Sequence, residues 1–269
     1  MYPNICAKII VDTIFNDKRI ITLQVTMPRF ILSQFNKHRA FSSNAASSRA
    51  IPVEKLITFV RETPFTPQQF GMNKAGMVAG ESFDYETNRN LQEIWHRAAE
   101  MAAYHAETLM KKGVHKQWAN RLLEPFLMTD VVVTATDWDN FFKLRLAEDS
   151  QPEMQTVAAC MKDCIDKSIP RESRWHLPYV DYPQILSKTL EEDDAFPKLA
   201  CISAARCARV SYNNHDGSKT VESKDLELAS KLLEHGHMSP FEHCAMESGA
   251  SYREANFVGW KSYRRMLGK

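Results

Sequence analysis

A mixed fold of the α/β (α+β) class is predicted by three observations: an alternating hairpin at the start of the chain, a long amphipathic helix at 91–112, and a further helical stretch at 151–165. In the hairpin, ICAKIIVDTIF and RIITLQVTMP flank a polar turn at Asn16, Asp17 and Lys18. Ile21, Leu23, Val25 and Met27 alternate with Thr22, Gln24 and Thr26, the period of a half-buried strand. Pro28 stops that strand, and Phe30, Ile31, Gln34 and Phe35 suit the start of a helix. HRAFSSNAASSR reads as a Ser-rich turn. Residues 50–90, with Pro52, Pro64, Pro67, Gly71, Gly76 and Gly80, read as a long irregular excursion of the kind that forms lids.

Residues 91–112 are rich in Ala, Leu, Met, Glu and Lys and end at Gly113, which predicts a helix with a C-terminal glycine. A second apolar stretch covers 115–147, and QPEMQTVAACMKDCI predicts a helix at 151–165. Residues 166–198, with Pro170, Pro178, Pro183, Pro197 and an acidic run at 191–194, read as a linker. From 199 the chain turns compact again, with AARCARVSY and then a helix capped by Ser223 and ending near Gly236.

The 269 residues carry 34 Lys and Arg against 33 Asp and Glu, a net charge of +1. No global field recruits nucleic acid or an anionic membrane, so any anion site is local. No apolar run reaches the ~18–20 residues of a membrane span, and the first residues lack a signal-peptide layout; a cytoplasmic protein is expected. Six cysteines without a CxxC pair read as reduced thiols.

The window 27–52 is the most unusual. It holds Arg29, Lys37, Arg39, Arg49 and five serines, with no carboxylate between Asp17 and Glu54. Guanidinium forks, hydroxyls and turn N–H groups suit a phosphate; the competing reading is a solvated basic turn with Ser caps. Neither GxxxxGK[ST] nor GxGxxG occurs, which leaves a P-loop or Rossmann site unsupported. HGHMSPFEH gathers His235, His237, Glu242 and His243, which would suit a metal, except that Pro240 interrupts the helical spacing of HExxH-type sites; no metal is expected. Arg121 and Arg145 form a third group, and Arg145, beside Phe141 and Phe142, reads either as an ion pair with Glu148 or Asp149 or as a functional cation.

His38, Arg39, Ser42, Asn44, Ser47 and Arg49 stand at the spacing of the RHRxxSxNxxSxR signature, and on these residues the chain resembles the flavin-dependent thymidylate synthases (ThyX). Three further blocks agree: Gln34 upstream, Arg121 to Arg145 through DNFFKLR with Gln151 and Glu153, and GHMSPFEH preceded by AARCARVSY. In that family the last block precedes the signature, whereas here it follows everything else. The resemblance therefore implies a ThyX-like fold in circularly permuted order, one catalytic domain over 1–269 made of a signature half (1–165), a linker (166–198) and a permuted half (199–269).

The resemblance further implies a homotetramer with active sites between subunits, using FAD, NADPH and 5,10-methylenetetrahydrofolate to convert dUMP to dTMP. Lys37, His38, Arg39, Asn44, Asn140, His237 and Ser239 would meet flavin. Gln34, Ser47, Arg49, Arg121 and Arg145 would hold dUMP, with Arg145, Arg49 and Ser47 as the catalytic set and Arg145 on the pyrimidine. An Arg there stabilises negative charge on the ring as C5 becomes nucleophilic, and no catalytic Cys is needed. The chain departs from the pattern at Lys37, Ala45, Ala50, Asp137, Asp139 and Asp149. The altered stretch at 134–149 motivates a hydroxymethylase acting on dUMP or dCMP as an alternative. A non-catalytic nucleotide- or RNA-binding descendant, using Arg39, Arg49, Lys261, Arg264 and Arg265, is the alternative from another class.

Overall fold

The hairpin forms as predicted: β1 (Cys6–Phe15) pairs antiparallel with β2 (Lys18–Pro28), Phe15 opposite Lys18. Asn16 (φ 47°) and Asp17 (φ 61°) take the left-handed region that a tight two-residue hairpin requires, which their short polar side chains tolerate. The computed structural model describes residues 2, 4–181, 192–211, 220–249, 251–254 and 256–269.

Next come α1 (Leu32–Phe35), β3 (Ser42–Ala45), α2 (Val53–Glu62), α3 (Tyr85–Lys111), α4 (Lys116–Ala119), β4 (Met128–Ala135), α5 (Asp139–Arg145) and α6 (Pro152–Lys167). They are followed by β5 (Arg171–Glu172), β6 (Trp175–His176), α7 (Glu192–Ala208), α8 (Glu222–Glu234), β7 (Ala245–Glu247), β8 (Arg253–Glu254), β9 (Phe257–Val258), β10 (Trp260–Ser262) and α9 (Tyr263–Met266). A five-stranded sheet runs β3-β4-β2-β1-β5, antiparallel except for the β1–β5 pair, and a three-stranded antiparallel sheet runs β10-β7-β6. The α+β class with antiparallel-rich sheets is the observed one.

Ile21, Leu23, Val25 and Met27 of β2 pack against Met154, Val157, Ala158 and Met161 of α6. At about 1.5–3 kcal/mol per buried apolar side chain, this stripe sets the strand's register. The opposite face is not solvated throughout, as alternation implied. Ile20 packs with Ala245, Phe257 and Trp260, and Thr22 is fully buried. Alternation reports one buried face; the second is covered by residues far downstream.

Five further readings are corrected. The Ser-rich turn contains β3, an edge strand whose Ser42 to Ala45 pair with Thr134 to Val131 of β4. The ladder on Val-rich β4 overrides the weak strand preference of Ser and Asn. The excursion at 50–90 contains α2, whose Val53, Leu56, Ile57 and Val60 stand at i, i+3, i+4 and i+7 and are all buried against α3 and its surroundings. The long helix α3 starts earlier than expected because Asp84 caps it, accepting from the Thr87 N–H at 2.9 Å.

The linker at 166–198 is built into the fold as far as residue 181. There β5 joins β1, β6 joins β7, and Trp175, His176 and Leu177 are buried, so Pro170 and Pro178 punctuate short strands rather than a solvated tether. Residues 182–191, with Pro183 and the start of the acidic run, lie outside the described residues, and α7 already includes Pro197. Finally, Ser223 lies inside α8 and caps nothing; Val221 precedes the helix. The predicted end holds: Gly236 takes φ 72°, the His237 N–H reaches the Leu232 carbonyl at 2.8 Å and the Gly236 N–H reaches Leu233 at 3.1 Å. Among the described residues no helix is long and apolar enough to cross a membrane.

Candidate functional site

The turn after α1 brings His38 against the last residue of α5. Arg145 Nε donates to His38 Nε2 at 2.9 Å. Burial, with the charge of Arg145 second, lowers the His38 pKa, so the ring is neutral and Nε2 is its lone-pair nitrogen. Phe141 meets the imidazole edge-on at 4.8 Å, which holds the ring in place. Neither Glu148 nor Asp149 pairs with Arg145, the ion pair weighed from the sequence. Beside this contact, Gln34 Nε2 donates to Gln151 Oε1 at 2.8 Å, tying α1 to the start of α6. Gln34 and Arg145 therefore stand on neighbouring elements, with exposed Lys37 and Arg39 on the same turn.

A second patch follows β3. Glu124 Oε1 accepts from Ser48 Oγ at 2.5 Å and from Arg121 Nη1 at 2.8 Å, and lies 3.3 Å from Arg29 Nε. Asn120 Nδ2 donates to the carbonyls of Ser48 and Ile51 at 2.7 and 3.0 Å, and Lys116 Nζ to Ala50 at 2.9 Å. These bonds shape the turn that carries Ser47 and exposed Arg49. The neighbouring cavity, about 440 Å³, is lined by Ala46, Ala50, Ile51, Phe59 and Met128, with Lys55 and Asp130 as its charged groups. The predicted nucleotide set is thus divided: Gln34 and Arg145 lie by the turn that precedes β3, and Ser47, Arg49 and Arg121 by the turn that follows it.

The predicted flavin set is also spread. Asn44, on β3, donates through Nδ2 to the Cys207 carbonyl at 3.1 Å and accepts at Oδ1 from Ser239 at 3.4 Å. It joins the signature strand to α7 and to the GHMSPFEH segment. Ser239 and His237 are exposed, as is Asn140 in the first turn of α5. Among the described residues, Lys37, Arg39 and Arg49 make no ion pair, so three cations on one stretch of chain face solvent. Asp137 accepts from the Asp139 N–H at 3.1 Å, which engages its carboxylate at the start of α5.

The HGHMSPFEH residues do not converge. His235 and His237 are exposed, Glu242 pairs with Arg264, and His243 is fully buried. Among the described residues no group of three or more His, Cys, Asp or Glu is placed to hold a metal. Burial pushes the thiols of Cys160, Cys164, Cys201, Cys207 and Cys244 up, which makes them poor nucleophiles.

Sequence reasoning missed a buried polar ladder between the two sheets. Thr13 Oγ1 meets His176 Nδ1 at 2.8 Å, His176 Nε2 meets Thr22 at 2.7 Å, Thr22 meets Thr134 at 2.6 Å, and Thr134 meets His243 Nδ1 at 2.8 Å. Desolvation lowers both histidines to about 3, so both are neutral. Also missed were Glu124, the shared acceptor for Ser48 and Arg121, and Asp225, buried and bound by Arg206 and Arg209. Long-range pairing of this kind leaves no local spacing to read.

Residues 17–171 match the family model described as thymidylate synthase complementing protein. A flavin-dependent thymidylate synthase of Wolbachia pipientis wMel is 23% identical over 171 residues, which is 63% of this chain and 59% of that protein; the chain thus spans about three fifths of the length of that relative. Among solved structures, a UMP/dUMP methylase PolB from Streptomyces cacaoi bound with 5-Br UMP superposes with a TM-score of 0.51 at 16% identity, over 62% of this chain and 90% of PolB. The PolB structure with 5-Br dUMP gives 0.44 at 20% identity, over 55% of this chain and 67% of PolB.

Proposed function

From the premise that the chain belongs to the thymidylate synthase complementing protein family, we propose that it is an enzyme transferring a one-carbon unit from 5,10-methylenetetrahydrofolate to C5 of dUMP, with FAD as cofactor and NADPH as reductant, giving dTMP. The observation that carries this reading is the Arg145–His38 contact. A carboxylate partner would neutralise Arg145; a neutral imidazole leaves its full charge for a ligand.

The geometry supports a role for each residue of the set. Arg145 presents its remaining guanidinium N–H groups to the pyrimidine and stabilises negative charge on the ring as C5 attacks the one-carbon unit. His38 accepts from Nε and orients the guanidinium. Gln34, fixed by Gln151, offers its amide oxygen to the base. Ser47, Arg49 and Arg121 take the nucleotide's phosphate, Arg121 being poised on Glu124.

The residues present fit a flavin nucleotide. Asn44, Ser239, Asn140 and His237 supply amide, hydroxyl and imidazole groups, Lys37 and Arg39 supply cations without ion pairs, and the Asp137 carboxylate is occupied by a backbone N–H. Flavin, when bound, supplies the hydride that completes the methyl group.

The separation of the nucleotide set on either side of β3 supports a homotetramer in which a second copy completes each site. The buried Thr–His ladder and the packing of Ala245 on Ile20 support a single unit in permuted order, because they set the end of the GHMSPFEH block beside the start of β2, the join that the unpermuted order would make. Mass spectrometry of the nucleotide after incubation with dUMP, FAD, NADPH and methylenetetrahydrofolate tests the reaction. A gain of one methyl group supports it. A hydroxymethyl product selects the hydroxymethylase reading, which Asp149 at the end of the altered stretch motivates. No modified product with flavin bound argues for dCMP as substrate, and no flavin or dUMP binding argues for the non-catalytic descendant.

A further inference from the structure

The C-terminal turn forms a pocket with the first signature serine. A cavity of about 290 Å³ is lined by Ser42, Glu242, Asn256, Phe257, Ser262, Arg264, Arg265 and Lys269. Three cationic side chains line it against one carboxylate, and that carboxylate, Glu242, is engaged by Arg264. Two of the lining hydroxyls are buried: Ser42 is 3% exposed and Ser262 7%. Ser42 Oγ accepts from Asn256 Nδ2 at 3.0 Å, which leaves its own O–H to donate. Ser262 makes no side-chain bond to cap the α9 helix it precedes. Phe257, 3% exposed, closes the apolar side.

Oxygen-rich anions satisfy such a set: hydroxyl and amide donors from below, guanidinium and ammonium groups at the rim. Apart from Ser42, every residue lining it lies outside the segment 17–171 that matches the family model. We propose that this pocket is a phosphate site for a nucleotide ligand, built by Ser42, Ser262 and Asn256 with Arg264, Arg265 and Lys269. The ligand's identity rests on the proposed function, whereas the phosphate chemistry does not. Ser42 is two residues from Asn44 on β3, so the site adjoins the residues assigned to flavin. The shared chemistry belongs to both flavin and pyrimidine nucleotides.

Titration calorimetry of the full chain with inorganic pyrophosphate, FMN, riboflavin, dUMP and deoxyuridine tests the site. Lys269→Glu alters an exposed side chain and Ser262→Ala removes one hydroxyl; Lys74→Glu, exposed in the irregular segment after α2, makes the same charge change elsewhere. The expected result is pyrophosphate binding by the wild type, weakened about tenfold or more in Lys269→Glu with a shallower salt dependence, weakened in Ser262→Ala, and unchanged in Lys74→Glu. A matching loss on FMN but not riboflavin assigns the site to flavin phosphate. A matching loss on dUMP but not deoxyuridine assigns it to the substrate. Wild-type affinity in both Lys269→Glu and Ser262→Ala, or no pyrophosphate binding by the wild type, overturns the proposal. Wild-type binding of pyrophosphate without FMN or dUMP leaves the pocket standing and defeats the functional reading instead.

Discussion

Arg145 and His38 stand 107 residues apart and meet at 2.9 Å, with the guanidinium donating to a neutral ring. An arginine held by a neutral partner keeps its charge and is oriented without being neutralised. Removing the charge by Arg145→Ala is expected to lower kcat for dUMP turnover by about 10²–10³-fold, the usual scale for one preorganised electrostatic donor. Steady-state kinetics check this, and circular dichroism of the variant separates chemistry from folding.

The same contact has a pH signature. The His38 pKa lies below its ordinary value of about 6.5, so the ring is neutral at pH 7 and gains a proton only under acid conditions. Protonation removes the Nε2 acceptor and sets two cations side by side. Turnover should therefore fall as pH drops below about 6.5, and His38→Gln should shift that acid limb while folding is retained. A pH profile of kcat/KM in both proteins checks it.

Arg49 is exposed on the turn shaped by Asn120 and Lys116. Arg49→Ala should weaken dUMP binding about tenfold or more, with thermal stability unchanged. Calorimetric titration with dUMP measures the affinity, and scanning calorimetry of the same proteins measures the thermal stability. Unchanged affinity would place the nucleotide elsewhere.

Buried His176 and His243 make stability pH-dependent. Both have folded pKa values of about 3 against about 6.5 in the unfolded chain. Between those values the unfolded state binds more protons, so stability is fully present above about pH 6.5 and is lost as pH falls toward 3. Thr134→Val, which leaves Thr22 and His243 short of a partner, should cost about 1–3 kcal/mol. Urea denaturation at pH 7.5 and pH 5 tests both statements.

Asp225 is 0% exposed and accepts from Arg206 Nε at 2.9 Å, with Arg209 on its other oxygen. Asp225→Ala leaves two part-buried cations without that acceptor, and a loss of about 3–5 kcal/mol is expected. The same denaturation series measures it.

Local sequence by itself determined the hairpin, the long helix closed by Gly113, the helix at Pro152–Lys167 and the glycine stop after α8, because each rests on interactions within a few residues. The stripe Val53, Leu56, Ile57 and Val60 is equally local, but the prolines and glycines that surround it mask its period. The spacing from His38 to Arg49 likewise carried the family, since a signature is a local pattern. Tertiary structure alone decided that SSNA is a strand, that 171–177 is core, and that Thr22 faces His176 rather than water. It also decided that Arg145 meets His38, that Arg121 shares Glu124 with Ser48, and that Ser42 meets the C-terminal turn. Each of these last contacts joins segments whose own neighbours leave the partner undetermined, and burial of the surrounding apolar surface selects it.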